Sequence, residues 1–182
     1  MTPELARECV VLDIHVFITA VSGGNSPFES WPTPPPVTDN CAADCLGIIN
    51  DAMEFKLCLS QHMLEHVVRI LVNPAAGMGW ELAVAEEYVE VLTEMAAQGD
   101  CGVREPSEDV MASEDWEDNK ILALAVECNA AIIVSEDPHL LDLSPWRGIP
   151  IIRARASSQG EWTRGAGVAG VLVTNRRSPQ HR

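Results

Sequence analysis

At 182 residues, 47% of them hydrophobic, the chain can bury one good core but is too short for two domains of ordinary size. Its net charge of −15 argues against passive binding to nucleic acid, because phosphate contacts need Lys and Arg. No apolar run approaches the roughly 20 residues of a membrane span, and Met1–Arg7 lacks the basic start and apolar stretch of a secretion signal, so the expected compartment is the cytoplasm.

The charge is unevenly spread. Residues 1–146 hold 5 Lys/Arg against 26 Asp/Glu, whereas residues 147–182 hold 7 Arg and the single acid Glu161. This divides the chain into a domain over 1–155 and a basic C-terminal extension over 156–182, either a solvated tail or one that meets RNA, a partner or the acidic body. The six cysteines are scattered and read as reduced core thiols; Cys41 and Cys45 are closely spaced, but without a second close pair they make a weak zinc site.

In chain order, the apolar run Glu8–Ile14 predicts a buried strand ending on an acid. Ser22–Thr38 carries two glycines and five prolines and predicts a long surface loop. A helix follows, with Asp39 as its N-cap and Cys41, Cys45, Leu46, Ile49 and Met53 recurring at helical spacing until Phe55. Lys56–Ser60 is a second short strand, and Ser60 caps a helix over Gln61–Val72 striped by Leu64, Val67, Val68 and Leu71. After a break at Asn73–Gly79, Trp80–Gln98 is a helix with Leu82, Val89, Leu92 and Met95 inward, ended by Gly99. Val103–Arg104 is a short strand, Asp118–Asn129 a helix, Ala131–Ser135 a strand, Pro138–Leu143 a short helix and Ile149–Ile152 a closing strand. Strands alternating with helices predict an α/β fold, a mainly parallel sheet covered on both faces. Val168–Val173 is an apolar patch in the extension, an extra strand or a segment that folds on a partner.

In such sheets, ligands bind at the carboxyl ends of the strands, where four acids fall: Asp13, Glu65, Asp118 and Asp137. Carboxylates gathered there repel one another, and a hard divalent cation, Mg²⁺ or Mn²⁺, relieves the repulsion and can activate water against a phosphodiester. Each acid also has a plainer reading. Asp118 suits a helix start, Asp137 a cap before Pro138, and Glu65 an i+4 partner for Arg69.

The runs VVLDIHVFI at 10–18, LSQHMLE at 59–65, DWEDNKILALA at 115–125 and IVSEDPHLL at 133–141 resemble PIN domains, and more narrowly the toxin components of bacterial toxin–antitoxin systems related to VapC-type ribonucleases. The resemblance spans about residues 8–155. It implies a three-layer α/β/α fold, a Mg²⁺- or Mn²⁺-dependent acidic site made by Asp13, Glu65, Asp118 and Asp137, hydrolysis of RNA, an antitoxin partner and a homodimer. Ser135 matches the small hydroxyl residue of the last motif, with Asp115 and His15 as further supporting groups. Where the family has Asp-Thr-Asn, this chain has Asp13-Ile14-His15, which loses a hydroxyl and an amide beside the metal and leaves open a module that binds RNA or an antitoxin without cleaving. His62, Glu65 and His66 also fit H-x-x-E-H, a zinc metalloprotease signature with Glu65 as general base. That reading leaves the three aspartates unexplained.

Overall fold

A computed structural model describes residues 7–22, 40–51, 54–76 and 78–154; the proline-rich segment and the basic extension lie outside them. At its centre, β1 (Glu8–Leu12) lies between β2 (Phe55–Leu57) and β3 (Ile132–Val134), with β4 (Ile151–Ile152) beyond β3. All pairings are parallel. Val10, Val11 and Leu12 are wholly buried, as a central strand covered on both faces requires, which explains why this strand reads as an unbroken apolar run rather than an alternating one. Leu59 adds a parallel bridge to Val103, all that forms of the strand expected there.

Six helices flank the sheet among the described residues: α1 (Ile14–Val21), α2 (Cys41–Asn50), α3 (Gln61–Val72), α4 (Leu82–Gln98), α5 (Trp116–Glu127) and α6 (Pro138–Asp142). The α/β/α expectation therefore holds. α1 packs against α2 and α3, and α3 against α4. Tyr88 of α4 is fully buried, and its hydroxyl donates to the Phe17 carbonyl of α1 at 2.9 Å.

Several boundaries differ from expectation for identifiable reasons. β1 stops at Leu12, and Ile14 opens α1 instead of ending the strand; IHVFITAV buries Ile14, Val16, Phe17, Ala20 and Val21 on one face, but eight mostly apolar, β-branched residues are too few for that stripe to be told from a buried strand. Asn40, not Asp39, caps α2, its side chain accepting from the Ala42 and Ala43 amides, and Phe55 belongs to β2 rather than to that helix. Leu82, expected inward, is 56% exposed in the first turn of α4, while Ala85, Tyr88, Leu92, Met95 and Ala96 form the buried face. Ser60 caps α3 as expected, accepting from the Met63 amide. Gly99 ends α4 at φ −79°, so its need is spatial: an added Cβ would lie 2.6 Å from the Lys56 Cβ on β2.

All six cysteines are free. Cys9 and Cys101 bring their thiols within 3.1 Å in the core, and Cys41 and Cys45 take part in no cluster of metal-ligating groups among the described residues. No described helix is long and apolar enough to cross a membrane.

Candidate functional site

The sheet brings the acids together through register and helix direction. Leu12 pairs with Val134, so the residues that follow, Asp13 and Ser135, leave adjacent strands side by side at the carboxyl edge. The Ser135 hydroxyl, wholly buried, donates to Asp13 Oδ2 at 2.7 Å and accepts from the Asp137 amide at 2.9 Å. One hydroxyl thus ties the first acid to the loop carrying the last. Asp137 also caps α6, accepting from the His139 amide at 2.7 Å, so the plainer reading of this residue is met at the same time as its place in the site.

α5 leads into β3 and runs against the strand direction, which sets its N-terminus at the same edge. Asp115 caps it, accepting from the Glu117 amide at 2.8 Å, and Asp118 lies inside the first turn rather than opening the helix. Asp118 Oδ2 accepts from the Ser113 hydroxyl at 2.8 Å. The Asn119 side chain fastens the preceding loop, accepting from the Ala112 and Ser113 amides and donating to the Ser113 carbonyl. Sequence reasoning passed over Ser113 and Asn119, whose roles depend on a loop with no periodic signal.

Asp13, His15, Asp115, Asp118 and Asp137 line one cleft of about 240 Å³. Wider grooves exist, including one of about 420 Å³ beside Trp116 and Lys120, but the strand-end aspartates line the small one. Asp13 and Asp118 are both 6% exposed. Burial pushes the Asp13 carboxyl above its usual range, against the lowering effect of Ser135 and His15, and Asp137 repels it further. Asp118 is raised in the same way: burial first, eased by Ser113, then repulsion from Asp137, Asp115 and Asp13. Carboxylates that repel one another and offer only oxygen donors suit a hard divalent cation in chemistry, though no three of them bring ligand atoms within 4.8 Å of one another, so the cleft would have to draw in around an ion.

Glu65 departs from the expected convergence. It is exposed, accepts from its own-helix Gln61 amide group at 2.9 Å, and does not line the cleft. The apolar stripe Met63, Leu64, Val67 and Leu71 fixes the rotation of α3, and a step of about 100° per residue turns Glu65 to solvent while His66 faces the cleft. His62 and His66 do approach each other, but the carboxylate beside them is Glu117 and not Glu65, which leaves the H-x-x-E-H reading without its general base.

A family profile, PIN_3, described as a PIN domain, matches residues 10–139. The chain belongs to the PIN domain family. No curated protein matches it. PIN domains are nucleases that depend on divalent metal, and this PIN domain presents an oxygen-donor cleft of the kind such a metal needs. The Ile14-His15 departure is now placed: Ile14 is buried in the core, while His15 is exposed on the cleft rim, in the first turn of α1. Ser135→Ala frees both Asp13 and the Asp137 loop, and loss of such support around a metal site lowers turnover by about 10–100-fold. Cleavage rates measured across a Mg²⁺ series should show it; rates equal to wild type at every concentration would assign Ser135 to packing alone.

Proposed function

We propose that this PIN domain is a metal-dependent endoribonuclease of the cytoplasm, with Asp13, Asp118 and Asp137 as the groups that hold Mg²⁺ or Mn²⁺. The observation that carries the reading is that these three aspartates line one cleft at the carboxyl edge of the sheet, two of them buried and raised by burial and mutual repulsion. A divalent cation bound there supplies neutralisation of phosphate charge and polarises water for in-line attack. The chain's own residues do the rest. Ser135 orients Asp13, Ser113 orients Asp118, and His15 stands on the rim in the place of the family's amide.

RNA in single-stranded form suits the surroundings of the cleft better than a duplex. Trp116, 56% exposed, sits two residues from Asp118 with the Lys120 ammonium 5.1 Å from its ring centroid, a cation beside an aromatic face on which a base can stack. The products are a 3′-hydroxyl and a 5′-phosphate, following the resemblance to VapC-type enzymes. From the same resemblance comes a toxin role opposed by an antitoxin, in a homodimer; a basic antitoxin segment would complement a chain of net charge −15.

The test is cleavage of a labelled single-stranded RNA by the purified full chain with Mg²⁺ or Mn²⁺ and with EDTA. Cleavage that needs the cation and yields 5′-phosphorylated products supports the reading. Cleavage unaffected by EDTA overturns it, and RNA binding without turnover assigns the chain to the non-cleaving alternative that the Ile14-His15 departure favours.

A further inference from the structure

We infer that His62, His66 and Glu117 form a second metal site, separate from the aspartate cleft in its donors and suited to a borderline transition-metal ion such as Zn²⁺. His62 and His66 are one helical turn apart on the same flank of α3, the spacing at which two imidazoles can share an ion. Glu117 enters from the first turn of α5. One ligand atom from each residue lies within 4.8 Å of the others: Glu117 Oε2 is 2.6 Å from His62 Nε2 and 3.0 Å from His66 Nδ1.

The independent observation is His66 Nδ1. It is buried, and its close polar neighbour is Glu117 Oε2, at 3.0 Å but off the line of a well-aligned hydrogen bond, so the contact is an ion pair with poor hydrogen-bond geometry. A poorly aligned buried polar atom is costly, and a metal ion that took the place of the shared proton, the three ligand atoms moving apart by about a few tenths of an ångström, would satisfy it. Two imidazole nitrogens and one carboxylate oxygen favour zinc-class ions over Mg²⁺ and leave a fourth position open. The surroundings hold the ligands in place. The Trp116 ring meets His62 edge-on at 4.8 Å between centroids, and the Arg69 guanidinium lies 3.7 Å from the other Glu117 oxygen.

The bland reading makes Glu117 a hub of ion pairs joining α3 to α5: burial would raise its carboxyl, but contacts with His62 and His66 outweigh that effect and keep it below the usual range. The two readings part on metal uptake. Because His66 and Glu117 also line the aspartate cleft, an ion here would carry its positive charge on the cleft wall, where an acidic nuclease has most need of it. The binding claim stands whether or not the chain cleaves RNA.

The experiment titrates Zn²⁺ into the metal-free full chain in excess Mg²⁺, by calorimetry and against a chromophoric chelator, with Co²⁺ substitution read by visible absorption. Expected are one equivalent of Zn²⁺, strong Co²⁺ bands typical of a low-coordinate site with nitrogen ligands, and a loss of affinity of at least about 10-fold in His66→Ala and in Glu117→Gln. Asp137→Asn, which alters the aspartate cleft, keeps the affinity. Circular dichroism confirms that each variant is folded. Zn²⁺ uptake unchanged in both ligand variants, uptake lost on cysteine replacement instead, or no uptake with only a drop in melting temperature each overturns the site.

Discussion

If the chain cleaves RNA as proposed, Asp13→Asn should remove that metal-dependent cleavage and at the same time make the metal-free protein more stable. The loss of activity is expected on the order of 10³-fold, about 4 kcal/mol of transition-state stabilisation, because the amide cannot offer an anionic oxygen to the cation. The gain in stability follows from the raised Asp13 carboxyl, which is buried and repelled by Asp137. Between the ordinary value of 3.8 and its higher folded value, the native state binds more protons than the unfolded one, so stability from this group falls as pH rises through that window. Above it the penalty is fully present; below 3.8 both states are protonated and it vanishes. The substituted amide removes the charge, while its oxygen can still accept from the Ser135 hydroxyl. Thermal melts without metal should therefore place the variant above wild type at neutral pH, by about 2–4 °C for each kcal/mol relieved, with the gap closing in acid. Added Mg²⁺ should raise wild type and leave the variant where it was. A variant that melts lower than wild type without metal, or retains full cleavage, would show that Asp13 is not part of a strained metal site.

Tyr88→Ala has the largest expected effect on the fold. The ring is fully buried against the core, meets Trp80 edge-on at 6.3 Å, and its hydroxyl reaches the Phe17 carbonyl of α1. Burial pushes the phenol far above its usual range, so it stays a hydrogen-bond donor at every pH of interest. Truncation removes an aromatic volume and the hydrogen bond that ties α4 to α1, for a loss of about 3–5 kcal/mol. Tyr88→Phe, which keeps the volume and drops only the hydroxyl, should lose about 1 kcal/mol. α1 begins one residue after Asp13, so the loosened helix should also weaken cation binding at neutral pH, beyond what stability alone accounts for. Urea melts of both variants decide it; a Tyr88→Ala loss under about 1 kcal/mol would mean that α4 does not anchor α1.

Most of the element order was legible because the signals are local. Ser60 before an apolar stripe announces α3, the AIIVS run announces β3, and Asp137-Pro138 announces α6, each through capping or patterning that reads the same in the chain as in the fold. α1 was not legible, since its exposed face of His15 and Thr19 spans two turns only, and a run of eight mostly apolar, β-branched residues reads equally as a continuation of the strand. Leu82 misled for the opposite reason: a large apolar residue in the first turn of α4 suggested the core, yet the helix had enough buried surface from Ala85 onward.

The sequence by itself determined the α/β class, the family, and the positions of Asp13, Asp118 and Asp137 at strand or helix ends facing the carboxyl edge of the sheet. Those follow from short-range pattern and from the rule that parallel strands open their sites on one edge. Only the tertiary structure decided which acids share the cleft. The rotation of α3 is set by packing of Met63, Leu64, Val67 and Leu71, and that rotation sends Glu65 to solvent, brings His66 to the cleft wall and hands the two histidines Glu117 of α5 as their carboxylate. A residue's place in a helix is written in the chain, but the residue it meets across two helices depends on how both pack on the sheet.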